Sequence, residues 1–327
     1  MVRNILREQI ISEFIKSLQE DKIPWKQGWN SLDQPINALT GTKYKGVNSV
    51  WLSYVSGKQG YKDNRWCTFN QAAKKGWKVS KGSKGTPIEY WSKYDRKDKK
   101  VIDWKRDEEL RNELSQKEYS ERVTMVTRIY TVFNASQIEG IPAIQQKNRQ
   151  IDKAYIESHR DKLIENLKVG FKEEGIRAYY SPGLDEIHMP EMDMFDNEYE
   201  YLATLLHEAG HSTGHESRLD RNIKNVFGTP EYAKEELRAE ISSAFVAQEL
   251  KVDEVSEDHI RNHKAYIQSW IKVLKDDPDE LFRAIKDAQN ISDYIIEKGE
   301  FKEIEEKINE EEKIIITHVP VTKVITL

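Results

Sequence analysis

The stretch Leu205-Leu206-His207-Glu208-Ala209-Gly210-His211 sets two histidines four residues apart, with a glutamate directly after the first. On an α-helix, positions i and i+4 share a face, so both imidazoles can grip one metal ion. Glu208 falls beside the pair, where a carboxylate can take a proton from a metal-bound water. Zinc in a hydrolase usually takes three protein ligands and leaves the fourth position to water. His207 and His211 supply two, and the third must come from elsewhere in the chain. The downstream run Glu235-Glu236-Leu237-Arg238-Ala239-Glu240 offers a second i,i+4 pair. One acid of that pair can bind metal while the other holds a ligand histidine. We assign Glu236 as ligand and Glu240 as its support, and the spacing leaves the reverse open. Glu235 reads as a solvent-facing acid. In this chemistry zinc lowers the pKa of its water toward ~7, and Glu208 is the general base. His263 and Tyr266 are candidate donors to a developing oxyanion, although lone polar helix residues are more often structural.

The elements that must position these groups are helices. Asn197 and Glu200 fit an N-terminal cap for the helix that carries the histidines, with Leu202, Leu205 and Leu206 on its apolar flank and Gly214 to end it. A second helix spans about Tyr232 to Leu250, another about Ser256 to Leu274, and Asp277-Pro278 opens a further one. A helix over roughly Ile151 to Leu167 precedes them. Two extended pieces, Ile176 to Tyr180 and Glu186 to Pro190, are joined by the turn Ser181-Pro182-Gly183. A metzincin would place a third histidine three residues beyond the glycine, where Ser217 stands. The order of the acids instead resembles the gluzincin arrangement.

The front of the chain has a different character. Residues 1–90 hold 15 Lys/Arg against 7 Asp/Glu, whereas the whole chain of 327 residues carries a net charge of −5. Seven of its eight tryptophans (Trp25, Trp29, Trp51, Trp66, Trp77, Trp91, Trp104) lie in the first 104 residues. Aromatics interleaved with lysines and glycine turns suit a stacking platform for single-stranded nucleic acid, while any one tryptophan is more often core. Thr68 and Gln71 fit a capping box for a short helix that Gly76 stops. Lys81-Gly82-Ser83-Lys84-Gly85 is a basic glycine turn and lacks the context of a phosphate loop. Pro87 to Trp91 and Val126 to Phe133 read as strands. Residues 95–122 are charge-rich and read as an insertion or exposed helical excursion with little chemistry.

Composition bounds these readings. Cys67 is the only cysteine, which excludes an intrachain disulfide and a cysteine-based zinc site. The N-terminal stretch is a charged amphipathic helix without the apolar core of a secretory signal, and no apolar run approaches the ~20 residues that span a bilayer. A cytoplasmic protein is expected.

Taken together, Pro24-Trp25, Asn37, Tyr44-Lys45-Gly46-Val47-Asn48, Trp66-x-Thr68-Phe69-x-Gln71, Lys81-Gly82-x-Lys84-Gly85 and Val132-Phe133-Asn134 resemble the N-terminal domain of ArdC-type antirestriction proteins and TraC-type plasmid primases. His207-Glu208-x-x-His211-Ser212-Thr213-Gly214-His215, Arg218-Leu219-Asp220-Arg221 and Tyr232-Ala233-x-Glu235-Glu236 resemble the zincin-like C-terminal domain of the same proteins. The resemblance implies an α+β protein of two domains. The first, residues 1–145, is a small mixed domain for single-stranded DNA. The second, residues 150–298, is a mostly helical zincin-like metallopeptidase with a small sheet, and residues 299–327 form a tail. It implies an antirestriction role on a conjugative plasmid or similar element, with Zn2+ as cofactor and single-stranded DNA and an unidentified protein substrate as partners. A monomer is expected. The candidate DNA-binding residues are Trp25, Trp29, Asn37, Tyr44, Lys45, Asn48, Trp66, Phe69, Gln71, Lys74, Lys81 and Lys84. Two rival readings are a non-enzymatic DNA-binding protector with a structural zinc and a primase-associated accessory protein.

Overall fold

A computed structural model describes residues 5–26, 34–143, 153–250 and 264–301, which fall into two compact units. The first comprises Met1–Ile10 with Gln34–Gln145, and the second comprises Ile11–Asp33 with Gln146–Leu327. Along the chain the first unit ends at Gln145 and the second resumes at Gln146. The segment from Ile11 to Asp33 does not stay with the first domain, as the reading of 1–145 as one unit had it. It clusters with the second unit. Helix α1 (Ile5–Gln19) therefore contributes to both, and its i,i+4 stripe Leu6, Ile10, Phe14 and Leu18 is buried.

The first unit continues with β1 (Ile36–Asn37), α2 (Gly46–Gln59), β2 (Arg65–Thr68), α3 (Phe69–Lys74), β3 (Lys78–Val79) and β4 (Thr86–Asp95). After these come β5 (Lys100–Ile102), α4 (Trp104–Glu113), α5 (Gln116–Arg122), β6 (Val123–Asn134) and β7 (Ile138–Glu139). Five strands form one sheet in the order β1-β2-β6-β4-β5, and β3 pairs with β7. The long ladder is β4 against β6, antiparallel from Thr86 opposite Val132 to Asp95 opposite Val123. Leu52, Trp66, Ile88 and Val132 make one buried cluster and Cys67, Ala72 and Ile138 another. Thr68 accepts from the Gln71 amide and Gln71 reaches back, so α3 opens on the expected capping box. Gly76 follows its end at φ +73, a conformation that costs glycine nothing. The charged stretch after Asp95 is ordered as a hairpin and two short helices. The Arg122 guanidinium fixes it by donating to both oxygens of fully buried Asp95.

The second unit contains α6 (Lys153–Leu167), β8 (Gly170–Glu173), β9 (Tyr179–Ser181), β10 (Glu186–Met189), α7 (Glu198–Ser212), α8 (Pro230–Glu249), α9 (Lys264–Asp276) and α10 (Glu280–Lys298). Its sheet runs β8-β10-β9, with β10 parallel to β8 and antiparallel to β9. Strand β8 was not legible, because Gly-Phe-Lys-Glu has one apolar residue and no alternation to read. The core gathers Leu163, Leu167, Ile187, Met189, Tyr201, Leu202, Leu205, Leu206, Val246, Ile291 and Ile295 from four helices and the sheet. Trp25 belongs here. It is fully buried with its ring 5.3 Å from that of Trp270, edge to face, so it is a core residue of this unit and has no face to offer a base. Among the described residues no helix is long and apolar enough to cross a membrane. The tail beyond Phe301 lies outside the described residues.

Candidate metal centre

Helix α7 starts at the expected cap, where the Asn197 side chain accepts from the Glu200 amide at 2.9 Å. Tyr201, Leu202, Leu205, Leu206 and Ala209 sink one face into the core, which turns His207 and His211 toward a cleft of about 460 Å³. The helix ends at Ser212 without a left-handed glycine. Arg218 donates to the Ser212 carbonyl at 2.7 Å and Arg221 to the Gly210 carbonyl at 2.9 Å, so arginines satisfy the last turn. Gly214 serves close packing instead, since a Cβ there would sit 2.3 Å from Ile223 Cγ2.

A second close approach brings the ligands together. A Cβ on Gly210 would lie 3.0 Å from Ser242 Oγ and 3.5 Å from Ala239 Cα, so α7 and α8 meet through their smallest residues. Glu236 and Glu240 flank Ala239 and are carried up to the histidines. His207 Nε2 and His211 Nε2 are 3.2 Å apart. Glu236 places Oε2 3.4 Å from the first and Oε1 3.5 Å from the second. For a tetrahedral ion with bonds of about 2.0–2.1 Å, ligand atoms should be roughly 3.3–3.4 Å apart. Taking one ligand atom from each residue, His207, His211 and Glu236 place all three within 4.8 Å of one another, and the donor set fits a metal ion.

The outer nitrogens are also met by carboxylates. His207 Nδ1 lies 3.5 Å from Glu240 Oε2, and His211 Nδ1 lies 3.3 Å from Glu235 Oε1. Glu236 thus faces the inner nitrogens of both histidines, and Glu240 stands behind His207. The His211 contact corrects the reading of Glu235 as solvent-facing. Glu235 is buried, and Arg221 donates to it at 2.7 Å while also binding Thr213 Oγ1. Because α8 is buried over most of its circumference, the residue beside Glu236 also meets protein. Burial acts to lower the His207 pKa, but the Glu236 and Glu240 carboxylates raise it well above its ordinary value. Burial would raise Glu236, and its bond with His207 and the charge of both histidines hold it at about 2.

Glu208 lines the same cleft, 8% exposed. Tyr266 lines it as well, with its hydroxyl 3.4 Å from that of Tyr232. His263 lies outside the described residues. Tyr232 was missed by the sequence reading, although it stands four residues before Glu236 on the same helix, and that spacing could have found it. Burial and its bonds to Tyr266 and Glu236 push the Tyr232 phenol far up, so the proton is kept for donation. Tyr179 and Tyr180 form another wall of the cleft.

The residues expected to contact DNA divide. Trp66 is fully buried in the first unit's core, which rules out stacking from its place in this fold. Asn48 donates to and accepts from the backbone of Glu89, so its amide binds the sheet. Asn37 and Gln71 bond to each other, and Tyr44 packs half-buried against the Trp66 cluster. Phe69, Lys45, Lys74, Lys81 and Lys84 are exposed. Trp29 lies outside the described residues.

Comparison with known proteins places both halves. Residues 4–133 match the N-terminal domain of anti-restriction factor ArdC, and residues 158–287 match a zincin-like metallopeptidase domain. Two Escherichia coli proteins called DNA primase TraC are 39% and 37% identical over 298 and 320 residues, covering 88% and 95% of this chain. The chain spans only 20% and 29% of their length. An uncharacterized protein of Sinorhizobium fredii is 31% identical over 293 residues, 88% of this chain and 89% of that protein. Crystal structures of antirestriction ArdC from plasmid R388, metal-free and Mn(II)-bound, align with TM-scores of 0.69 and 0.68 at 29% and 30% identity. Each alignment covers 90% of this chain and 97% of theirs.

Proposed function

The chain belongs to the ArdC antirestriction family, and we propose that it protects a mobile element's DNA by combining single-stranded-DNA binding with zinc-dependent peptide cleavage. The observation that carries the peptidase half is the His207/His211/Glu236 donor triangle with Glu208 in the same cleft. His207, His211 and Glu236 would hold the zinc, with Glu240 and Glu235 orienting the two imidazoles from behind. Bound there, zinc would supply Lewis acidity and lower the pKa of a water. Glu208 takes the proton of the attacking water and passes it to the leaving amine nitrogen. The Tyr232 and Tyr266 hydroxyls, which line the same cleft, would donate to the oxyanion. The DNA-binding half draws support from the basic balance of residues 1–90, the exposed Phe69, Lys74, Lys81 and Lys84, and the matched N-terminal domain.

The test is a metal and cleavage assay on the full chain. Wild type should carry one zinc and cleave an unfolded protein substrate. Glu208→Ala should keep the zinc and lose cleavage, and His211→Ala should lose both. Undiminished cleavage by Glu208→Ala would remove the role given to Glu208.

A further inference from the structure

Four aromatic side chains of the first unit stand in water. Trp104 is 77% exposed, Tyr90 56%, Trp91 46% and Tyr130 40%. All four line one open cleft of about 760 Å³, and Lys93 and Arg128 line it with them. It lies where β5 stops: β5 pairs with β4 only over Lys93–Asp95, so among the described residues Tyr90 to Ser92 have no strand on that edge of the sheet. Tyr90 sits directly opposite Arg128 in the ladder with β6, which puts both on one face, while Trp91 points to the other, so the cleft wraps around the strand edge. The Tyr90 and Tyr130 rings meet edge to face at 5.6 Å, and the Arg7 guanidinium lies 5.5 Å from the centre of the Trp91 ring.

The charges of this cleft are unequal. Its Asp107 carboxylate is already engaged by Lys93, Arg111 and Tyr119. Asp103 is used as the cap of α4, accepting from the Arg106 amide at 2.9 Å. Arg128 makes no ion pair among the described residues. The spare charge is positive, on a wall where four rings outnumber the aliphatic Val101 and Ile102. A groove for a protein helix would be aliphatic and neutral, whereas rings beside the Arg128 guanidinium suit unpaired bases and their phosphates.

We infer that this cleft is a stacking site for single-stranded DNA, with the Trp104, Trp91, Tyr90 and Tyr130 rings taking bases and Arg128 taking a phosphate. The inference rests on the reading of the first unit as a single-strand-binding domain and gives that activity a location. It also gives a role to the stretch after Asp95, whose charge-rich sequence suggests little chemistry.

The experiment titrates full-length wild type, Trp104→Ala, Trp104→Phe and Arg128→Ala with an oligo(dT) strand across a salt series. Trp104→Ala should weaken binding about tenfold with the salt slope unchanged, and Trp104→Phe should stay within about threefold of wild type. Arg128→Ala should lower the log–log salt slope by about 0.7. Since Trp104 is mostly exposed, thermal melting should match wild type. If wild type binds and neither alanine variant differs from it, the cleft is overturned while the single-strand reading stands. If wild type itself fails to bind at low salt, both are overturned.

Discussion

The two units treat the same kind of sequence signal in opposite ways. In the second, residues chosen for type and helical spacing converge: His207, His211 and Glu236 meet within one cleft, Glu240 stands behind His207, and Glu208 lines the wall. In the first, residues chosen for type alone scatter. Trp66 fills the core, Asn48 holds a strand backbone, Gln71 caps a helix, and among the described candidates only Phe69 and the four lysines are exposed. A period of 3.6 residues carries geometry from sequence to structure, whereas a tryptophan says only that a large ring must go somewhere.

The largest effect is expected at Glu208. If the convergence is catalytic, Glu208→Gln should cut kcat by at least about 10²–10⁴-fold, the range for a positioned acid–base group, with metal content unchanged. Tyr232→Phe comes next. Loss of one oxyanion donor should cost about 10²–10³-fold in kcat with little change in KM. A change confined to KM would make Tyr232 a wall of the cleft and nothing more.

Glu235 and Glu240 test whether the acids behind the histidines matter. Glu240→Ala and Glu235→Ala should each weaken metal affinity about 10–100-fold, measured by competition with a chelator. Equal effects would place Glu235 beside Glu240 in function. Unaltered affinity in Glu235→Ala would make it a partner of Arg221 only.

In the first unit the expected effect is on stability. Trp66→Ala empties a fully buried site and should cost about 3–5 kcal/mol in a denaturant melt. Phe69→Ala, at 60% exposure, should stay within about 0.5 kcal/mol. Comparable losses would mean that type, not burial, governs both rings.

How much could be read in advance follows from the same distinction. The caps at Asn197 and Thr68, the strands β4 and β6 and the helix α8 were legible because short-range rules fix them. Trp25 was not, because its partner Trp270 lies far along the chain and no local pattern announces it. Nor was the burial of Glu235, which depends on Arg221 arriving from the loop between α7 and α8. Tyr232 could have been found by extending the i,i+4 argument one turn back from Glu236.

The smallest effect concerns the charged stretch after Asp95. Its anchor is one carboxylate, fully buried and bonded by Arg122 and by the amides of Lys97 and Asp98. The Arg122 guanidinium, against the opposing push of burial, holds the Asp95 pKa well below its ordinary value. A carboxylate so depressed stabilises the fold at any pH above its unfolded value of about 3.9. That contribution is lost as pH falls through the folded value. Asp95→Asn should therefore melt below wild type at pH 7, and the gap should narrow as pH falls below about 4. If the gap stays constant down to about pH 2.5, the anchor is one of shape rather than charge. In that case the stretch would be held as Trp66 is, by fit alone.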